Sequence, residues 1–180
     1  MRTHRAATGS ARVRFMPIPP YLRDLRRHVG HAMLMVPSVT AVVQDEAGRL
    51  LLGRRSDTGG WSLLAGIVDP GEQPADAIVR EVREESAVDV RVDGVAGVAL
   101  HPMTYPNGDE CQFLNVWFRC TAIGGEARVN DGELLEVGWF AADRLPVDDE
   151  WTRLRIDTAL NGDPAAWYAT PGSHHPALRF

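Results

Sequence analysis

The stretch GIVDPGEQPADAIVREVREESAV, residues 66–88, sets six acids and two arginines on one turn and one helix. Pro74 suits a first helical turn, where its missing N–H would have had no partner anyway. The spacing predicts a helix over about 74–86. On it, Glu81, Glu84 and Glu85 stand at i, i+3 and i+4 and so share one face. Each like-charge pair at that spacing costs a helix about 0.2–0.5 kcal/mol when nothing compensates. A solvated face, neutralised in part by Arg80 and Arg83, is the plainest account of an arbitrary acidic helix. Here the order of the residues around it argues for something more specific.

Gly66 is followed after five residues by Glu72, and after seven more by Arg80-Glu81-Val82-Arg83-Glu84-Glu85, with Val88 beyond. This run resembles the signature of the Nudix family, G-x5-E-x7-R-E-U-x-E-E-x-G-U, where U is a bulky aliphatic residue. One position departs from it: Ala87 stands where the pattern keeps its second glycine. A glycine just past a helix end relieves a left-handed backbone, so an alanine there implies a changed helix end or a local cost of about 1 kcal/mol. Upstream, Leu63-Leu64-Ala65-Gly66 replaces the Leu-Pro-Gly-Gly often seen before the signature. No carboxylate of the pattern is missing.

The resemblance implies an α/β fold, an α/β/α sandwich on a mixed sheet, covering roughly residues 38–147. It implies that Glu81, Glu84 and Glu85 hold Mg²⁺ or Mn²⁺ and that Glu72 and Arg80 pair to tie the loop to the helix. A further carboxylate often comes from a later loop; Glu133 in DGELLEVGWF fits best, as metal ligand or general base, and Glu136 is second choice. Arg80, Glu81, Glu84 and Glu133 are thus the expected catalytic set. The chemistry is coherent, because hard divalent cations prefer carboxylate oxygens and complete their shell with water and substrate phosphate. The implied reaction is attack of water on phosphorus in a nucleoside diphosphate linked to another moiety. ADP-ribose or a nucleotide sugar leads, partly because TYPNGDECQ (104–112) resembles a bacterial Nudix group labelled ADP-ribose pyrophosphatase-like. Oxidised nucleoside triphosphates are the alternative substrate, and a non-catalytic nucleotide sensor the alternative of another class. For substrate contacts the candidates are Arg54 and Arg55, which end a strand facing the signature loop, with Trp61 and Gly66; a surface role is the commoner one for such arginines and a packing role for such a tryptophan.

The rest of the chain reads as one unit with tails. Its 180 residues suffice for a single core. We expect a flexible tail over 1–20, a domain over 21–160 and a flexible tail over 161–180. Apolar residues at helical spacing predict an amphipathic helix over Tyr21–Val36, packed on its own domain or on a partner subunit in a homodimer. Strands are expected at 38–44 and 49–55, joined as a hairpin, at 88–92 and 95–101 with a bend at Asp93-Gly94, and at 111–122 and 134–140, with a helix over 149–160. Cys111 and Cys120, nine positions apart in one strand, would lie roughly 30 Å apart and could not form a disulfide.

All 19 basic residues are arginine, and charge divides unevenly: residues 1–36 carry seven Arg against Asp24, whereas 37–180 carry 12 Arg against 23 acids. An acidic body repels phosphate unless cations intervene, so no specific nucleic acid is expected as a partner. No apolar run is long enough to span a membrane, and a cytoplasmic location is expected.

Overall fold

In the strand Leu34–Gln44 (β1), six consecutive residues from Ser38 to Val43 are buried. Such continuous burial requires cover on both faces of a sheet. The computed structural model, which describes residues 18–172 and 175–178, supplies it. Helix α1 (Pro20–Val29) precedes β1; then follow β2 (Leu50–Arg55), β3 (Trp61–Ser62), β4 (Leu64–Ile67), α2 (Pro74–Ser86), β5 (Val88–Thr104), β6 (Glu110–Gly125), β7 (Leu134–Phe140), α3 (Glu150–Leu160) and β8 (Trp167–Tyr168). The sheet runs β3-β2-β1-β6-β5-β8, with β4 also paired to β1 and β7 to β2. It is mixed: β1 and β6 are parallel from Leu34↔Cys111 to Gln44↔Thr121, whereas β5 and β6 form a long antiparallel pair.

Two cores follow from the alternation of side chains along these strands. Val39, Ala41 and Val43 of β1 face α2, where Ala77, Ile78 and Val82 form the apolar stripe. On the other face, Val42, Leu50, Leu52 and Trp117 meet Ile156 and Ala159 of α3. The expected α/β/α sandwich is therefore the observed fold. A polar seam crosses the α3 face: Arg155 donates to Thr40 Oγ1 at 2.8 Å, and Asn115 Nδ2 donates to Thr40 and Ser38 at 3.0 Å each.

Several expectations need correction. The N-terminal helix ends at Val29, not Val36, because Gly30 turns the chain at φ 60° and Leu34 already pairs with β6. That pairing outweighs the helical spacing of Val36, which is buried against Leu22 and Cys111 within this domain. The segments 88–92 and 95–101 are parts of one longer strand that runs on to Thr104, with a register shift between Val92 and Gly94 where the bend was expected. The hairpin expected between the first two strands is present, with Gln44 opposite Leu50, but β2 pairs over more residues with β7. Beyond residue 160 the chain returns to the sheet: Trp167 and Tyr168 pair with Gly97 and Val98, and Trp167 packs against the α3-side core. The expected tail over 1–20 lies almost wholly outside the described residues. Both cysteines are buried and free, as the strand spacing required.

Candidate active site

Helix α2 starts after Gln73 with Pro74 in its first turn and buries Ala77, Ile78, Val82, Glu85 and Ser86. Ile78, Val82 and Glu85 lie at i, i+4 and i+7, so a carboxylate occupies a position of the core stripe. Burial pushes the Glu85 carboxyl well above the usual range, and Glu81, Glu133 and Asp131 add to the effect. Its Oε2 has no hydrogen-bond partner. An ionised carboxylate left so would cost several kcal/mol, which points to a proton or a cation as its missing partner.

Around Glu85 the other acids gather. Glu81 is raised to about 7, first by burial and then by Glu84 and Glu133, although Arg80 opposes the shift. Glu133, at the end of the loop into β7, is raised by burial and by Asp131, with Arg55 opposing. Gly66 makes room for this arrangement: a Cβ there would stand 2.0 Å from Glu81 Cδ. The first glycine of the signature is thus a cradle for a carboxylate, which its assignment as a substrate contact did not anticipate.

Arg80 binds the loop to the helix. Its Nε and Nη2 donate to the two carboxylate oxygens of Glu72, each at 2.9 Å, a fork-to-fork pair of the strong kind. Its Nη1 donates to Glu81 at 2.8 Å and to Glu84 at 3.1 Å. The hydrogen bonds from Arg80 hold Glu72 below the usual carboxylate range. Among the described residues no three Asp, Glu, His or Cys side chains close on one point as a finished cation cage. The guanidinium holds Glu81 and Glu84 instead. The donor set nevertheless suits a hard divalent cation: it offers only oxygens, one buried oxygen has no partner, and three carboxyls are raised by burial and mutual repulsion.

The flanking candidates divide. Arg55 is fixed by Asp57, its Nε donating at 2.9 Å, and its charge is felt at both Glu85 and Glu133, so it borders the acidic cluster. Arg54 instead pairs with Glu136 across the β2–β7 ladder at 2.5 Å and donates to Gly59 O. Glu136, the second choice for the later carboxylate, is therefore engaged on the strand, while Glu133 stands with Glu85. Trp61 packs edge-on against Phe140 with centroids 4.7 Å apart, in the α3-side core. Asp57 and Asp131 were not anticipated; Asp131 precedes Glu133 by two residues in an Asn-Asp-Gly turn, and that spacing was the available signal.

Comparison with known proteins agrees with this geometry. The NUDIX domain matches residues 34–158. A MutT-like protein of Streptomyces ambofaciens is 37% identical over 126 residues, covering 69% of this chain and 77% of that protein. The NAD-capped RNA hydrolase NudC of Pseudomonas putida F1 is 36% identical over 125 residues, but the match spans only 41% of its length. Among solved structures, an ADP-ribose pyrophosphatase from Streptococcus suis superposes with TM-score 0.55 at 26% identity, covering 70% of this chain and 90% of that one. Because the match at 34–158 takes in strands β1 to β7, α2 and the loop bearing Glu133 together, this chain belongs to the NUDIX domain family.

Proposed function

We propose that this Nudix hydrolase is a Mg²⁺- or Mn²⁺-dependent pyrophosphohydrolase of a nucleoside diphosphate linked to a second moiety, with ADP-ribose or a nucleotide sugar favoured. The observation that carries the reading is the buried, unpartnered Glu85 oxygen amid Glu81 and Glu133. Glu81, Glu84, Glu85 and Glu133 would hold the cation, and Arg80 with Glu72 would fix the loop against the helix. Once bound, the cation supplies a water of lowered pKa and offsets charge on the departing phosphate. Glu133, half-buried and raised in pKa, would be the residue to accept a proton from the attacking water. Arg55, at the rim, supplies positive charge toward a phosphate.

The substrate class is supported by the names of two similar proteins, one acting on NAD-capped RNA and one on ADP-ribose. Both compounds contain a nucleoside diphosphate joined to another group. Oxidised nucleoside triphosphates are the second reading, favoured by the likeness to a MutT-like protein.

Incubation with Mg²⁺ or Mn²⁺ and a panel of ADP-ribose, nucleotide sugars and oxidised deoxynucleoside triphosphates, with products identified by mass spectrometry, separates the readings. AMP with ribose 5-phosphate supports the first, and a nucleoside monophosphate with pyrophosphate the second. Turnover of neither class overturns both. Glu84→Gln should lower turnover by at least about 100-fold, since even outer partners of metal ligands are worth about 10–100-fold. Undiminished activity in that variant would remove Glu84 from the metal site.

A further inference from the structure

The last turn of a helix leaves carbonyls without intrahelical partners. In α2 Ala87 N donates to Arg83 O at 3.0 Å, and a distant segment, the loop between β6 and β7, supplies further donors. Arg128 N donates to Ser86 O at 3.0 Å and Asn130 N to Glu85 O at 3.2 Å. The Asn130 side chain adds a third bond, Nδ2 donating to Arg83 O at 3.1 Å. Where the loop leaves β6, Gly125 stands so close that a Cβ would lie 2.2 Å from Ala87 O. Three residues beyond Asn130 comes Glu133, whose N–H donates to Asp131 Oδ1 at 2.9 Å and whose carbonyl accepts from Ser56 N at 2.9 Å.

The loop thus has two anchors, one on the helix that carries Glu81, Glu84 and Glu85, the other on the segment after β2. Among the described residues, Asn130 is the loop residue whose side chain hydrogen-bonds the end of this helix. We infer that Asn130 is a positioning residue: by binding Arg83 O through its amide, it sets the distance between the Glu133 carboxylate and the glutamates of α2. Its amide touches neither cation nor substrate in this role. The inference rests on the proposed metal site and adds to it a residue outside the signature.

The test measures Mn²⁺ binding to the full chain without substrate, by titration calorimetry and by the electron paramagnetic resonance signal of free Mn²⁺. Asn130→Ala and the isosteric Asn130→Asp, which lacks the donor, should each weaken binding by on the order of 10-fold, as loss of an outer partner does. Glu133→Gln should weaken it comparably. The double variant Asn130→Ala/Glu133→Gln should bind no more weakly than Glu133→Gln alone, because Asn130 acts through Glu133. Asn130 is exposed, so a folded variant is expected, checked by an unchanged circular dichroism spectrum. Wild-type affinity in both Asn130 variants, or losses that multiply in the double variant, would overturn the inference. Wild-type affinity in Glu133→Gln would also overturn it, while Glu85→Gln decides separately whether the glutamates of α2 bind the ion at all.

Discussion

Ala87 is the one non-glycine residue with positive φ among the described residues, at φ 58° and ψ 19°. The left-handed region brings Cβ against the following carbonyl and costs an L-residue about 1–2 kcal/mol. Glycine avoids that contact but surrenders more chain entropy on folding, about 0.5–1 kcal/mol relative to alanine. Ala87→Gly should therefore raise stability by about 0.5–1 kcal/mol in urea titration, with activity retained. An equal or lower stability would mean that the loop contacts at Ser86 and Arg83 have already relieved the strain. This residue also marks where the sequence was informative. The departure from the signature was legible, and so was its consequence at the helix end, because a backbone conformation follows from its local residues. What replaces the missing glycine was not legible, since the donors come from Arg128 and Asn130, more than forty positions along the chain.

At the scale of the element, α2 serves two purposes. Its apolar stripe seats it on the sheet, and the continuation of that stripe into Glu85 draws acids into a half-dry cluster. The helix bounds and the shared face of the three glutamates were readable, because period and spacing encode them, and the Glu72–Arg80 pair was implied by the resemblance to the Nudix signature. The burial of Glu85 against the exposure of Glu84 was not, because it depends on the loop that closes over the helix. The cluster also sets a pH response. Glu81 is raised to about 7 in the folded state, above its ordinary carboxylate value of 4.5. Between those values the folded chain binds more protons than the unfolded one, so this residue's contribution to stability falls as pH rises. In metal-free protein, wild type should lose stability relative to Glu81→Gln between about pH 4.5 and 7, by on the order of 1–3 kcal/mol. Saturating Mg²⁺ should narrow the gap, since a bound cation takes the place of the proton. Chemical denaturation of both proteins at pH 5, 6, 7 and 8 tests this; a difference that stays flat across the series would contradict it.

At the scale of the whole molecule, one face of the sheet carries the acidic site and the other is closed by α3 and the chain beyond it. Trp117 is fully buried at the centre of that second face. It donates from Nε1 to Thr158 Oγ1 at 3.0 Å and meets Trp151 edge-on at 5.6 Å. Gly97 opposite it has no side chain because a Cβ there would lie 2.2 Å from the Trp117 ring. Trp167 completes the cluster, its ring 5.8 Å from Trp117, where the short strand β8 joins β5. The segment around it, NGDPAAWYATPGSHHP, reads as a frayed end because turn residues outnumber apolar ones. A single tryptophan closing a core that other elements have built leaves no periodic trace. The two accounts of this segment predict different energetics. Truncating a buried tryptophan costs about 3–5 kcal/mol, and Trp167 is half-buried, so Trp167→Ala should destabilise by about 2 kcal/mol. In a chain of this size that corresponds to a fall in Tm of roughly 4–8 °C. A solvated tail residue would change stability by less than about 0.5 kcal/mol. Thermal and guanidinium unfolding of the full chain and the variant measure the difference, and a value below that limit would return residues 161–180 to the status of a tail. Because Trp167 closes the α3 face while the carboxylates lie toward α2, Mn²⁺ affinity at a temperature well below both transitions should be the same in the two proteins.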